Sequence, residues 1–268
     1  MVIGSKEFTQ NHTYIMGILN VTPDSFYDGS SYTDMDSAIR RAVAMQEEGA
    51  DIIDIGGEST RPGYTMISSE EEIERVVPVI ETVKKEIDLP ISLDTYKAEV
   101  ASAGIAAGAD MINDIWGLKY DERMAGVISD AKVACCLMHN RYDRDYKAFT
   151  DDVIGDLKEC IEIADAAGIA KDKIILDPGV GFAKDTEQNL EVIAAIDKIN
   201  ELGYPVLLGV SRKSVVGNVL GIPKEERLIG TVALGVIGCL HKNMFLRVHD
   251  VKEHVQAVKM TEAVMKYM

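Results

Sequence analysis

Two adjacent cations, Arg212 and Lys213, follow the apolar run PVLL in a chain that is otherwise strongly acidic. The 268 residues include 44 Asp and Glu against 28 Lys and Arg, which gives a formal net charge of −16. Such a charge opposes general binding to nucleic acid or to an anionic membrane surface. The two cations therefore indicate either a solvated strand end or a local site for one anion.

A second basic group closes the last apolar run, where LRVHD places Arg247 and His249 two residues apart. Residues with this spacing share one side of a strand. Together with Lys213 from the preceding strand, they predict a clamp for a phosphate group. The acidic body would repel anions in general, whereas this cluster would hold one of them.

Three residues that follow other apolar runs, Asp94, Asn113 and Asp177, carry two carboxylates and one amide. Such groups can bind a heterocycle that displays several N–H donors beside ring nitrogens. The alternative is that all three cap the helices that follow. For Asp94 in SLDTYK, helix capping is a serious alternative to ligand binding. It is weaker for Asp177 in LDPGVGF, where the proline and two glycines predict a tight turn that approaches a ligand closely.

Two long segments after the first two apolar runs, NVTPDSFYDGSSYTD and GESTRPGYTMIS, are longer than ordinary connections between a strand and a helix. Loops of that size are often functional. Phe26 and Arg61 are an aromatic ring and a cation on otherwise small, polar segments. A surface ion pair would also explain Arg61, but the length and the position of its loop favour a binding role.

Short strand-like runs alternate with amphipathic helical patterns along the whole chain. The predicted strands are YIMGIL, ADIIDIG, PISLD, MINDI, VACCLM, IILD, PVLLGV and MFLRV. The predicted helices lie near 35–48, 69–87, 97–107, 123–130, 151–167, 186–201, 225–242 and 251–267, with a capping box at Ser69 and Glu72. Eight such pairs predict a single-domain (β/α)8 TIM barrel over residues 1–268. In this fold the chemistry lies at the carboxyl ends of the strands, and most of these strands close on a polar residue, Asp54 among them.

Several other kinds of site are absent from the sequence. No GxGxxG follows the first strand, and neither GxxxxGK[ST] nor HExxH occurs. The five histidines have no metal-ligand spacing, so a structural metal is not expected. The four cysteines have no CxxC pair, which indicates buried free thiols and a cytoplasmic location. The sequence shows neither a signal peptide nor an apolar run long enough to span a bilayer.

The motifs taken together resemble the dihydropteroate synthase family of folate biosynthesis. The resemblance is carried, in the family's order, by GILNVTPDSF, DIIDIGGESTRPG, ISLDTYK, INDI, CLMH, LDPGVGF, SRKS and RVHDV. It implies a transferase in a (β/α)8 barrel that joins 6-hydroxymethyl-7,8-dihydropterin pyrophosphate to para-aminobenzoate. The products would be 7,8-dihydropteroate and pyrophosphate, Mg²⁺ would assist, and sulfonamides would compete with para-aminobenzoate.

The resemblance also implies roles for individual residues. The pterin would contact Asp94, Asn113, Met138, Asp177, Phe182, Gly209 and Lys213. The pyrophosphate would lie near Asn20, Arg247 and His249, with Asn20 also a ligand of Mg²⁺. The para-aminobenzoate would lie near Phe26, Thr60, Arg61, Pro62 and Ser214. The catalytic groups would be Asp94, Asp177 and Lys213.

Two departures and two rival functions stand beside this interpretation. Ser30 replaces a glycine usual in the family's first loop, and NRYDRDYKAF over 140–149 carries more charge than is usual there. The enzymatic rival is a corrinoid-type methyltetrahydrofolate methyltransferase, and the rival from another class is a non-catalytic pterin carrier. The SRKS lysine, the RVHD clamp and the NVTPDSF loop argue against the methyltransferase, because a methyl donor has no pyrophosphate to hold. The carrier would not need Asn20, Arg247 and His249 together.

A helix near the end of the chain indicates a second subunit. LIGTVALGVIGCL, Leu228 to Leu240, is apolar on every side and rich in small residues. The outer face of a barrel helix normally meets water, whereas a helix that is apolar all round is usually buried. The pattern therefore predicts a homodimer that forms through this helix.

Overall fold

The computed structural model of the protein describes residues 1–10, 12–21, 31–58 and 66–268, the side chains of residues 31–34 excepted. Within these residues, eight parallel strands form a closed barrel in chain order, and the last strand pairs with the first. They are β3 (Tyr14–Asn20), β4 (Ile52–Gly56), β5 (Ile91–Asp94), β6 (Met111–Asp114), β7 (Ala134–Met138), β8 (Ile174–Asp177), β9 (Val206–Leu208) and β10 (Met244–Val248). A short antiparallel pair, β1 (Val2–Ile3) and β2 (Lys6–Glu7), precedes the barrel.

Helices follow the barrel strands and pack around them. They are α1 (Ser31–Glu48), α2 (Ser69–Glu86), α3 (Ala98–Ala107), α4 (Met124–Ala131), α5 (Phe149–Ala166), α6 (Thr186–Ala194), α7 (Ile196–Asn200), α8 (Ser214–Leu220), α9 (Leu228–Cys239) and α10 (Val251–Met265). The predicted (β/α)8 barrel is confirmed, and all eight predicted strands are present.

The structure differs from the predicted elements at a few places. The pair β1–β2 and the seven-residue helix α8 were not predicted, because elements this short leave little periodicity to detect. The helix predicted over 186–201 is two helices that meet at Ala195. The predicted cap at Ser69 is wrong by one residue, since Ser68 Oγ accepts the hydrogen bond from the Glu71 amide at 3.2 Å.

Side chains alternate between the two faces of each barrel strand, which divides the core into two parts. The larger part lies between the sheet and the helices. The smaller part fills the barrel near the amino-terminal ends of the strands, with Ile52, Met111, Ile175 and Phe245 among its residues. The Phe8 side chain, just after β2, belongs to the same cluster, so the amino-terminal segment closes this end.

The four cysteines are buried and free, as the sequence predicted. In the parts of the chain that the structure describes, no helix combines the length and the apolar character that a membrane crossing requires.

Candidate active site

A polar layer lies inside the barrel directly above the apolar one. Two residues after Ile52, Met111, Ile175 and Phe245 come Asp54, Asn113, Asp177 and Arg247, respectively. Because side chains two apart share a face of the strand, both sets point into the barrel. The second set is nearer the carboxyl ends of the strands, where barrel enzymes carry their chemistry. The alternation of each strand therefore places the polar groups together.

Arg247 bridges Asp54 of this layer and Asp94, the last residue of β5. Its Nε donates to Asp54 Oδ2 at 2.6 Å, and its Nη2 donates to Asp94 Oδ2 at 2.5 Å. The Asp54 side chain is fully buried. Among the described residues, Asp54 Oδ1 and Asp94 Oδ1 have no hydrogen-bond partner. Each carboxylate thus keeps one buried oxygen that a ligand's N–H group could satisfy.

Burial raises the pKa of Asp94 to about 7, although Arg247 opposes the shift and the charge of Asp54 adds to it. Two carboxylates share one guanidinium here, so the trio of side chains carries one excess negative charge when both are ionised. A cationic ligand would be stabilised beside it.

Asn113 lies beside Asp94 in the register of β5 and β6. The Asn113 side chain is buried, and its Nδ2 donates to Asp54 Oδ2 over a long 3.4 Å. With the amide in this orientation, its carbonyl oxygen is an acceptor for the donors of a bound ring. Asp54 therefore contacts both Asn113 and Arg247, two of the predicted binding residues.

Asp177 and Lys213 form the opposite side of the pocket. Burial raises the pKa of Asp177, with Lys213 opposing the shift, and burial lowers the pKa of Lys213 to about 8. Asp177 Oδ1 accepts the amide hydrogen of Gly179 at 2.7 Å. A Cβ on Gly209 would lie 3.7 Å from both Asp177 Oδ2 and Lys213 Nζ, so the glycine keeps the space between them open.

The apolar wall of the pocket comes from the ends of neighbouring strands. Met138 ends β7 and packs in a small cluster with Tyr96 and Ile115, against which Trp116 and Phe182 also pack. The Phe182 ring centroid lies 4.8 Å from Lys213 Nζ. A flat ring could therefore stack against apolar side chains while its edges meet the polar layer.

The two cations of SRKS have different partners. Arg212 pairs with Asp250 through two hydrogen bonds of 2.9 and 2.7 Å, and its backbone has a left-handed φ of +54°. Lys213 Nζ instead donates to Val180 O inside the pocket. Only Lys213 of this pair therefore lies at the site, and Arg212 forms a half-buried ion pair with Asp250.

The predicted phosphate clamp stays a prediction. Arg247 is engaged with two carboxylates, as described above. Burial lowers the pKa of His249 to about 4, so the ring is neutral near pH 7, and its Nδ1 lies 2.8 Å from Ser211 Oγ. The neutral imidazole could still donate one hydrogen bond to an anion.

The remaining predicted residues lie at the edge of the pocket or outside the described chain. Asn20 ends β3 and lies beside Gly56, which in turn lies beside Asp94 in the register. Ser214 is exposed at the start of α8, directly after Lys213. Predictions for the two long loops fall outside the described residues, namely those for Phe26, Ser30, Thr60, Arg61 and Pro62.

Asp54 and Lys184 are two buried residues near the site to which the sequence reasoning gave no role. The signal for Asp54 was its position two residues after Ile52, on the inward face of a strand. Lys184 offered no such signal, because it follows an irregular turn. The Lys184 side chain is buried, and its nitrogen lies 2.8 Å from His139 Nδ1.

A cavity of about 330 Å³ lies at the opposite end of the barrel, near the beginnings of the strands. Its walls include Phe8, Tyr14 and Phe245. Among the described residues that line it, Asp172 is the single carboxylate and is exposed. The buried charges lie at the other end, so the pocket of Asp94, Asn113, Asp177 and Lys213 is the candidate active site.

Comparison with known proteins identifies the family of the chain. The family model for pterin binding enzymes matches residues 16–249. A dihydropteroate synthase of Clostridium beijerinckii is 56% identical over 268 residues, which cover 99% of this chain and 100% of that protein.

Solved structures give the same result. A Clostridium difficile dihydropteroate synthase crystallised in the presence of pteroic acid has 50% identity and a TM-score of 0.94, covering 96% of this chain and 99% of that one. The Xanthomonas albilineans enzyme with 4-aminobenzoic acid has 42% identity and a TM-score of 0.91, covering 95% of this chain and 94% of that one. The chain therefore belongs to the pterin binding enzyme family, among the dihydropteroate synthases.

Proposed function

We propose that the protein condenses 6-hydroxymethyl-7,8-dihydropterin pyrophosphate with para-aminobenzoate and releases 7,8-dihydropteroate and pyrophosphate. The observation that carries the proposal is the buried polar layer in the mouth of the barrel, where Asp94, Asn113 and Asp177 meet Lys213. Membership of the family supports the substrate class. The methyltransferase and the carrier proposed as rivals lack support from the relatives described above.

The pterin ring would be recognised by acceptors at the bottom of the pocket. Its ring N–H and amino groups are donors, and the buried Oδ1 atoms of Asp54 and Asp94 have no partner in the described part of the chain. The carbonyl oxygen of Asn113 and the carboxylate of Asp177 would accept further hydrogen bonds. Lys213 would donate to an acceptor on the ring.

The reaction begins as the bond between the pterin methylene carbon and the bridging oxygen breaks. The bonding electron pair leaves with pyrophosphate, and the positive charge on the carbon is delocalised into the pterin. The carboxylates of Asp94 and Asp177 would stabilise this cation electrostatically in a site largely shielded from water. The para-aminobenzoate nitrogen then donates its electron pair to the methylene carbon and loses a proton. No enzyme nucleophile is needed.

Mg²⁺ is an expected cofactor, and the residues at the mouth fit it in a limited way. Among the described residues, no group of three His, Cys, Asp or Glu side chains could hold a metal. Mg²⁺ often takes only one or two protein ligands and completes its shell with substrate phosphate oxygens and water. The amide oxygen of Asn20, at the end of β3, is suited to that role. When bound, the ion would neutralise charge on the departing pyrophosphate.

The para-aminobenzoate site rests on the resemblance and on position. Ser214, at the start of α8, is exposed beside Lys213 and could contact this substrate at the mouth. Phe26, Thr60, Arg61 and Pro62 are proposed to complete the site. Sulfonamides share the para-substituted aniline of this substrate, so we expect them to compete with it.

The test measures pyrophosphate release by the purified protein with Mg²⁺. Each substrate is added alone and then both together, and dihydropteroate is measured in parallel. We expect pyrophosphate and dihydropteroate in equal amounts when both substrates are present. A protein that binds the pterin but releases no pyrophosphate with both substrates would support the carrier instead.

We also propose that the protein is a homodimer through α9. The outward side chains Ile229, Ala233 and Ile237 of this helix, with Leu240 directly after it, are exposed and form one apolar stripe. Ile229 is 82% exposed, which is unusual for an isoleucine on a helix of a soluble barrel. A second copy of the chain would cover this stripe. Light scattering at micromolar concentration should give twice the monomer mass, and a monomer would contradict the proposal.

We propose a cytoplasmic location as well. The four thiols are buried and unpaired, and burial raises the pKa of Cys135 and of Cys160. Unpaired cysteines are typical of a reducing compartment. Fractionation of the source cells tests this location directly.

A further inference from the structure

A buried lysine behind the pterin pocket has no part in the reaction chemistry described above. The Lys184 side chain is 4% exposed, and its Nζ lies 2.8 Å from His139 Nδ1, 3.0 Å from Gly179 O and 3.1 Å from Phe182 O. An ammonium group has three N–H donors. Burial lowers the pKa of Lys184 to about 7, and in the protonated form each of the three donors faces one acceptor.

The hydrogen-bond partners of His139 define which ring nitrogen carries the proton. Nε2 lies 2.9 Å from Asp156 Oδ2, a carboxylate oxygen that only accepts, so the imidazole proton lies on Nε2 and Nδ1 accepts from Lys184. Burial lowers the pKa of His139 to about 4, so the ring is neutral and Nδ1 keeps its lone pair. Arg141 Nε donates to the same Asp156 oxygen at 2.5 Å. A chain of hydrogen bonds through Asp156 and His139 thus connects the half-buried Arg141 to the buried Lys184.

The two carbonyls that Lys184 holds belong to an irregular turn, residues 179–183. Gly179, Gly181 and Ala183 have φ values of +70°, +88° and +46°. A turn with three left-handed residues forms neither helix nor strand, so it depends on contacts such as the one from the Gly181 amide to Asn189 Oδ1 at 2.6 Å. It also packs tightly against the end of β7, since a Cβ on Gly179 would lie 2.0 Å from His139 O. Lys184 therefore connects the turn to β7.

The same turn contacts Lys213 twice. Val180 O accepts a hydrogen bond from Lys213 Nζ, and the Phe182 ring centroid lies 4.8 Å from that nitrogen. The position of the turn thus determines the position of the ammonium group that faces the pterin. A shift of the turn would move the ring and the hydrogen-bond acceptor together.

We propose that Lys184 is a positioning residue, whose hydrogen bonds to His139, Gly179 and Phe182 fix the 179–183 turn and thereby place Lys213 for pterin binding. The inference rests on the proposed function and deepens it, because it assigns the specificity for the pterin partly to a residue outside the pocket. Para-aminobenzoate, which binds at the mouth, is not affected by this contact.

The first variant is Lys184→Met, which keeps the length of the side chain and removes its three donors. The matched control is Lys158→Met on the exposed face of α5. Pterin binding is measured by quenching of the fluorescence of Trp116, the chain's single tryptophan, which packs at the pocket wall. We expect Lys184→Met to weaken pterin binding and raise its KM at least tenfold. The KM for para-aminobenzoate should change less than twofold, and the control should match the native protein.

A pair of variants at His139 tests the same hydrogen bond from its other side, in case Lys184→Met does not fold. Asparagine places an oxygen near the position of Nδ1 and can still accept from Lys184, whereas His139→Leu removes the acceptor. We expect the pterin KM of His139→Leu to be at least five times that of His139→Asn. Equal pterin KM values for these two variants would overturn the proposal.

A folded Lys184→Met variant with the native pterin KM would also overturn the proposal. An equal rise in the KM values for both substrates would do the same. Every variant is compared with the native protein measured in parallel. Native protein without turnover would count against the proposed function, whereas native turnover with unaffected variants would count against the role of Lys184 alone.

Discussion

Replacing Asp94 by asparagine should stabilise the folded protein at neutral pH while it abolishes turnover. The Asp94 side chain is 10% exposed and shares Arg247 with Asp54. Burial raises the pKa of Asp94 from 3.8 to about 7 in the folded state. The fold therefore disfavours the ionised carboxylate of Asp94, although this is the form that would stabilise a cationic pterin.

The magnitude follows from linkage between protonation and folding. A folded-state pKa above the unfolded value contributes stability that is fully present below pH 3.8 and is lost as the pH rises through about 7. The rise of about three units corresponds to roughly 4 kcal/mol, at about 1.4 kcal/mol per unit. Asparagine resembles the protonated acid at every pH. Asp94→Asn should thus match the native protein near pH 4 and exceed it by up to about 4 kcal/mol at pH 8.

The assay is urea unfolding of both proteins at intervals between pH 4 and pH 8. The control is Asp88→Asn, an exposed carboxyl group whose replacement should change the free energy of unfolding by less than about 0.5 kcal/mol throughout. Pyrophosphate release is measured on the same samples. If the stability difference between Asp94→Asn and the native protein does not grow with pH, the carboxyl group is not destabilised when ionised. Full turnover in the variant would show that Asp94 is not needed for the reaction.

Three further predictions concern other parts of the site and the subunit contact. Asp177→Ala and Lys213→Ala should each lower kcat/KM at least 100-fold without unfolding the chain, as circular dichroism would verify, and near-native turnover in either would count against the pocket. Arg61→Ala should raise the KM for para-aminobenzoate at least fivefold and leave the pterin KM within twofold; an unchanged response to para-aminobenzoate would remove the second loop from the site. Ile237→Glu, which puts a charge into the apolar stripe of α9, should convert a dimer into a monomer in light scattering, and an unaffected dimer would place the interface elsewhere.

The fold could be predicted because its signals are local. Each barrel strand is a short apolar run bounded by turn residues, and strict alternation with helices leaves few topologies other than a closed barrel. The positions of Asp94, Asn113 and Asp177 at the strand ends followed from the same pattern. The elements that were not predicted were also missed for a local reason, because β1, β2 and α8 are too short to show periodicity.

The partners inside the site could not be predicted, because they lie far apart in the chain. Arg247 contacts Asp94 across 153 positions and Asp54 across 193. Strand register decides which of these side chains meet, and the register depends on how the whole barrel closes. The sequence suggested that Arg247 faces an anion, and the fold adds that two carboxylates already bind it. Lys184 was missed for the same reason, since its contact with His139 depends on the path of a turn.

The most direct test is a crystal structure of the protein with 6-hydroxymethyl-7,8-dihydropterin pyrophosphate. The ring should lie at the carboxyl end of the barrel, with its polar atoms within about 3.2 Å of Asp94, Asn113, Asp177 and Lys213. The same crystal should show the pyrophosphate group toward the mouth, near Asn20 and His249. A ring bound instead in the cavity beside Phe8 and Phe245, or nowhere in the barrel, would show that the polar pocket is not the pterin site.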